Sequence, residues 1–153
     1  MTGTADDELL KLDAQLCFSL HAASRAFDAL YRIRLRDLGL TYPQYLTMMV
    51  LWETGGLTVK QLGERLRLDS GTLSPLLKRL ETAGLVERRR SREDERSVSV
   101  HVTEQGAALR ARAVDVPRRM LDATGLSPDE VTRLRRTLDD LTQRLDAAAG
   151  SIV

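Results

Sequence analysis

Thr58-Val59-Lys60-Gln61-Leu62-Gly63-Glu64-Arg65-Leu66, then Asp69-Ser70-Gly71-Thr72-Leu73-Ser74-Pro75-Leu76-Leu77-Lys78-Arg79-Leu80, then Ser97-Val98-Ser99-Val100-His101-Val102 decide the fold class by their order. In the first stretch Thr58 and Gln61 have the spacing of a capping box: the hydroxyl accepts from the N–H three residues on, and the amide reaches back to the cap. That predicts a helix over 59–66. Asp69 is a good N-cap and Gly84 a natural terminator, so a second helix lies between them. Pro75 inside it is expected to bend it, although Gly71 four residues earlier has no side chain to crowd the ring. The third stretch alternates polar and apolar residues, the two-residue repeat of a half-buried strand. Leu85 to Arg90 reads as its hairpin partner, joined through the polar Ser91-Arg92-Glu93-Asp94-Glu95. Helix, tight turn, helix and hairpin make a winged helix-turn-helix: mainly α, with a small β-hairpin wing.

On the N-terminal side, Leu9, Leu12, Leu16, Leu20, Ala23, Phe27 and Leu30 recur at three- and four-residue steps. They predict one long helix over 8–37, ended by Gly39. Thr41 and Gln44 form another capping box, with Pro43 early in the helix where its missing N–H costs nothing, and Gly55-Gly56 closes that helix. On the C-terminal side Thr103 caps a helix over 104–122. Ser127 and Glu130, with Pro128 between them, start the last helix. Its seam is Val131, Leu134, Leu138, Leu141 and Leu145. The seam is either intrachain core or a face for a symmetry mate, and its narrow, long stripe favours the second. The expected organisation is one domain over 1–153. Dimerisation helices at 8–40 and 104–149 would flank a DNA-binding region at 42–102.

The chain has 153 residues, of which 42% are hydrophobic and only 4% aromatic. That suits Leu-rich helical packing more than a β-sandwich. No apolar run approaches the ~18 residues of a membrane span. The acidic start, Met1 to Glu8, lacks the core of a leader peptide, so a cytoplasmic location is expected. Net charge is −2 over residues 1–59, +3 over 60–96 and zero over 97–153. So modest an excess is usually a solvated face; the order of elements gives it meaning.

In such a fold the helix opening at Ser70 lays its N-terminal end in the major groove of double-stranded DNA. Ser70, Thr72 and Ser74 are small hydroxyl residues that approach closely and bond phosphate or base edges. Their ordinary alternative role is helix capping. Lys78 and Arg79 lie further along and hold phosphate. The hairpin carries Arg88, Arg89, Arg90, Arg92 and Arg96, and an arginine at a hairpin tip enters a narrow A·T-rich minor groove. Asp94 is placed to orient the Arg96 guanidinium. Otherwise the two form an exposed turn pair of under ~1 kcal/mol.

The single cysteine, Cys17, cannot form an internal disulfide. It lies one position off the Leu16–Leu20–Phe27 stripe, on a helical face with Asp13, His21, Ser24 and Tyr31. Taken alone it is an inert apolar residue or a reagent. His21 is one turn away, but nothing supplies the oriented base and oxyanion hole of a cysteine hydrolase, so no enzyme is expected. His21, His101 and one cysteine do not make a metal site, and no cofactor is expected.

The run from Leu57-Thr58-Val59 through Asp69-Ser70-Gly71-Thr72-Leu73 to Gly84-Leu85-Val86, followed by Asp94-Glu95-Arg96 and the alternating strand, resembles the MarR family of dimeric winged-helix regulators. Within it, Gln15-Leu16-Cys17-Phe18, Leu40-Thr41-Tyr42-Pro43-Gln44-Tyr45 and Leu51-Trp52-Glu53 resemble the organic-hydroperoxide-sensing OhrR repressors. The likeness covers residues 12–117. Asp94-Glu95-Arg96 marks the family; the cysteine and tyrosine stretches mark the subgroup. The resemblance implies that Cys17 is a peroxide sensor, with Tyr31 and Tyr42 bonding it from the other subunit. It implies a homodimer that binds a palindromic operator while Cys17 is reduced and controls a thiol peroxidase gene. With no second cysteine, the chain resembles the one-cysteine type, which needs an outside small thiol after oxidation by organic hydroperoxide. His21 departs from the subgroup's tyrosine at that position.

Helix geometry adds a constraint. Fourteen residues separate Cys17 from Tyr31, about 21 Å along one helix at ~1.5 Å per residue. Contact between them therefore requires the same helix of a second chain, crossing antiparallel. Two rivals stand beside this reading. One is a regulator of the same fold that senses a phenolic or drug-like ligand, with Cys17 inert. The other is an adaptor that uses its helical seams for protein partners and binds no nucleic acid.

Overall fold

A computed structural model describes residues 7–151. Residues 1–6, which precede Asp7 and Glu8 in the acidic start discussed above, lie outside the described residues, as do 152 and 153. The helices are α1 (Leu16–Arg34), α2 (Tyr42–Thr54), α3 (Val59–Leu66), α4 (Ser70–Thr82), α5 (Glu104–Ala113), α6 (Asp115–Thr124) and α7 (Pro128–Gly150). The strands are β1 (Gly56–Thr58), β2 (Val86–Arg90) and β3 (Val98–Val102), antiparallel in the order β1-β3-β2. The mainly α fold with a hairpin wing stands, and the wing gains a third strand, β1.

Local chemistry sets the helix starts. Thr41–Gln44, Thr58–Gln61 and Ser127–Glu130 each form a complete capping box. Asp69 Oδ1 accepts from the Thr72 N–H at 2.8 Å, and that bond holds the Asp69 carboxyl below the ordinary carboxylate range. A group depressed in this way contributes above its unfolded pKa and loses its effect as pH falls through the lowered value. The α4 cap is therefore in force at neutral pH and is lost only in acid. Helix α4 runs unbroken through Pro75. The α3–α4 turn passes through Arg67 at φ 55°, and the Leu68 N–H returns to the Gly63 carbonyl at 3.0 Å.

The two compact units are residues 1–116 and 117–153. In the first, Met48 and Leu51 of α2, Leu62 of α3, and Leu73, Leu77 and Leu80 of α4 are buried with Val86 and Val100 of the sheet. Each such apolar side chain contributes about 1.5–3 kcal/mol relative to exposure. This core fixes α4 against the wing. In the second unit α7 has no buried residue, and Leu134 and Leu145 are exposed.

Two expectations change. The helix expected over 8–37 is broken at Gln15, which is extended at φ −84° and ψ 111°. Its side-chain amide donates to the Lys11 carbonyl at 3.1 Å and to that of Leu9, which closes the turn before α1 begins. Leu35 follows α1, and a 3-10 turn, Arg36–Leu38, leads to Gly39. The helix expected over 104–122 is interrupted at Val114. Pro117 has no N–H for the Ala113 carbonyl four residues earlier, and α5 ends at Ala113.

Candidate functional site

The groove between α4 and the wing is built from three elements. Capped at Asp69, α4 presents Ser70 and Ser74. Strand β2 brings Arg88, and the β2–β3 turn brings Asp94 and Arg96. Together with Thr58, Lys60 and Gln61 they line an open concavity of about 770 Å³. Ser70, Thr72, Ser74, Lys78 and Arg79 are all exposed along α4. The Thr72 hydroxyl lies 3.3 Å from Asp69 Oδ2, so its proton is spent on the cap and its lone pairs and methyl group remain for a ligand.

The wing tip is a closed turn. Ser91 N–H donates to the Ser97 carbonyl at 2.9 Å, and Ser91 Oγ accepts from the N–H groups of Glu93 and Asp94, each at 3.2 Å. Asp94 Oδ1 accepts from the backbone N–H of Arg96 at 3.0 Å. Asp94 thus braces the backbone of the turn, whereas the sequence suggested that it would hold the guanidinium. The reason is spacing: two residues on in a tight turn, the backbone N–H is closer to the carboxylate than the far end of a long side chain.

The wing arginines differ in their surroundings. Arg88 Nε and Nη2 donate to Glu81 Oε2 at 3.0 and 2.8 Å. Arg89 pairs with Glu87 on its own strand. Arg90, Arg92 and Arg96 are exposed, with no carboxylate partner among the described residues.

The residues singled out for redox chemistry fall in two places. Cys17 is a free, exposed thiol at the start of α1, and His21 is exposed one turn on. Tyr31, near the end of α1, stacks on Tyr42 at the start of α2, with ring centroids 4.3 Å apart and planes 27° apart. Tyr31 and Tyr42 are thus brought together, whereas Cys17 stands apart from them along α1. Burial, with Tyr42 and Tyr45 adding, pushes the Tyr31 phenol up to about 12. Burial and then Asp28 raise Tyr42; burial and then Tyr42 raise Tyr45. All three hydroxyls therefore stay protonated at neutral pH and remain hydrogen-bond donors.

Sequence reasoning missed how this pair is anchored. Tyr45 lies 6.0 Å from Tyr31 and meets Trp52 edge-on at 6.5 Å. Trp52 Nε1 donates to the Gly106 carbonyl at 2.8 Å. Thr103, read as an N-cap, accepts from the Gly106 N–H at 3.0 Å and donates to the Gly84 carbonyl at 2.6 Å. Tyr45 and Trp52 stood in the stretches that carry the resemblance, but nothing in their spacing showed that they anchor the pair.

Among the described residues no group of three or more His, Cys, Asp or Glu side chains is placed to hold a metal ion, and no helix is long and apolar enough to cross a membrane. A family model described as "Transcriptional regulator SarA/Rot" matches residues 29–112. The chain is similar to the HTH-type transcriptional regulator TtmR of Methylorubrum extorquens, at 48% identity over 99% of this chain and 77% of that one. It is also 48% identical to the organic hydroperoxide resistance transcriptional regulator of Bacillus subtilis, over 89% of this chain and 92% of the relative. Among solved structures it is similar to reduced AbfR bound to DNA, at 32% identity and a TM-score of 0.79. That match covers 94% of this chain and 98% of the other.

Proposed function

This chain belongs to the MarR family of winged-helix transcriptional regulators, and we propose that it is a homodimeric repressor that releases its operator when an organic hydroperoxide oxidises Cys17. The observation that carries this reading is the 48% identity to the Bacillus subtilis organic hydroperoxide regulator, with a free, exposed Cys17 at the head of α1. The Cys17 thiolate attacks the terminal peroxide oxygen; the O–O bond breaks, an S–O bond forms, and the alkoxide leaves, taking a proton from solvent to become the alcohol. Sulfur is oxidised to the sulfenic acid and the peroxide is reduced. A small thiol then attacks the sulfenic sulfur, forming a mixed disulfide and releasing water.

Exposure supports the dimer. One chain leaves Leu9, Leu12, Leu16, Phe27 and Ile33 in water, and likewise Leu134 and Leu145. Apolar faces of that extent are covered by a partner. An antiparallel second α1 brings the partner subunit's Tyr31 and Tyr42 to Cys17 and His21. There the protonated phenols donate to sulfur and favour the thiolate. Bulk or charge added at Cys17 then wedges the stacked pair and shifts the winged-helix lobes off their half-site spacing. Return of the thiol to its reduced state fits a cytoplasmic protein.

DNA contact is assigned to the groove. Ser70, Thr72 and Ser74 enter the major groove of a palindromic operator, Lys78 and Arg79 hold phosphate, and Arg90, Arg92 and Arg96 reach the minor groove. Arg96→Ala is expected to weaken operator binding by about tenfold and to lower the salt slope by about 1. A fluorescence anisotropy titration at several salt concentrations checks this. Salt-independent behaviour, or no DNA binding at all, supports the protein-adaptor reading instead.

A further inference from the structure

We propose that Glu81 is a positioning residue for DNA binding: through Arg88 it holds the wing at a fixed angle to α4. The inference rests on the DNA-binding reading of the groove. It also assigns Arg88, one of the arginines read from sequence as a DNA contact, a different job.

Glu81 lies in the last turn of α4 and Arg88 is the third residue of β2. The connection between them is short and pinned. Ala83 N–H donates to the Arg79 carbonyl at 3.0 Å, Gly84 N–H to the Glu81 carbonyl at 2.9 Å, and Leu85 N–H to the Leu80 carbonyl at 3.0 Å. Gly84 takes φ 75°, a backbone that favours glycine. Across this corner Glu81 Oε2 receives Nε and Nη2 of Arg88 at 3.0 and 2.8 Å. Glu81 Oε1 receives the backbone N–H of Arg88 at 3.4 Å. Strand β2 is the outer strand of the sheet, so an N–H not spent on β3 needs another acceptor, and the carboxylate supplies it. One carboxylate therefore grips both side chain and backbone of the wing's first strand.

The pair is more sheltered, with side-chain exposures of 34% for Arg88 and 37% for Glu81, than Arg89–Glu87 at 60% and 45%. Arg88 holds the Glu81 carboxyl below the usual carboxylate range, so the grip is charged at neutral pH. Arg88 lines the groove with Ser70, Ser74 and Arg96. A carboxylate beside a DNA groove repels phosphate, so electrostatics alone predicts tighter binding when Glu81 is neutralised. A strut predicts the reverse, because a swinging wing loses its aim.

The test uses the full-length protein and a labelled duplex selected from a randomised pool by the wild type. Glu81→Gln is expected to bind roughly three- to tenfold more weakly with an unchanged salt slope. Arg88→Lys is expected to lose a similar factor although its charge is kept, because an ammonium cannot reproduce the two-nitrogen fork. The double variant is expected to be no worse than either single one. Thermal melting of each variant confirms that it is folded. Glu81→Gln binding as tightly as wild type or tighter overturns the proposal, as does Arg88→Lys at wild-type affinity. So does Arg88→Gln alone lowering the salt slope by about 1, the mark of a direct phosphate contact. Failure of the wild type to select or bind any duplex would instead sink the DNA-binding reading.

Discussion

Cys17→Ser is expected to remain on its operator in concentrations of organic hydroperoxide that strip the wild type from it. Serine keeps the shape of the side chain and removes the oxidisable sulfur. Cys17 is exposed within its own chain, so Cys17→Ser is expected to leave that chain's core intact. Any difference in the peroxide response is then chemical. Coupling between a sensor and a distant binding face is typically worth about 5–150-fold in affinity. Wild-type protein treated with cumene hydroperoxide and a small thiol should therefore bind at least about tenfold more weakly, with Cys17→Ser changing less than about twofold. A band-shift titration reads both. A serine variant released as readily as wild type leaves Cys17 inert.

Gly106→Ala is expected to be the most destabilising glycine-to-alanine change among the described residues. A Cβ there would stand 2.1 Å from the Leu85 carbonyl oxygen, 3.0 Å from its carbon and 3.2 Å from Val102 Cγ1. The nearest atoms are backbone, and the backbone is held from several sides. The Leu85 carbonyl accepts from the Thr103 N–H at 3.1 Å, and the Gly106 carbonyl accepts from Trp52 at 2.8 Å. Overpacking that cannot relax through a side chain costs about 3 kcal/mol, the upper end of the usual range. For a chain of this size that lowers Tm by about 6–12 °C. Calorimetry or a circular dichroism melt checks it. A shift of under about 2 °C shows that α5 and the β2 corner part more easily than these bonds imply.

What the residues announced in advance follows from the range of each interaction. Three capping boxes and the Asp69 cap are bonds between residues three apart, so they are written in the chain and recur in the structure. The alternation Val98, Val100, Val102 is equally local. The break at Gln15 was hidden because its amide caps carbonyls four and six residues earlier, a pattern with no composition signal. The periodic stripe of α1 was legible as apolar, but periodicity does not say which chain covers it; no residue of α1 is buried within its own chain.

Contacts across the fold were invisible for the same reason. Trp52 and Gly106 are 54 positions apart. Glu81 and Arg88 are seven apart across a helix–strand corner, and because the chain changes from helix to strand between them no single periodicity relates them. Tyr31 and Tyr42 were named by resemblance, and folding places their rings 4.3 Å apart; spacing alone could not have paired them. Asp94 was assigned to the right turn and the wrong atom of Arg96.

The account stands on one link, that chemistry at Cys17 and loss of the operator are the same event. Mass spectrometry of protein recovered from the operator, bound and released fractions separately, after one equivalent of cumene hydroperoxide with a small thiol present, tests it directly. The released fraction should carry the thiol as a mixed disulfide on the peptide containing Cys17, and the bound fraction should carry unmodified Cys17. Released protein whose Cys17 is unmodified would contradict the account.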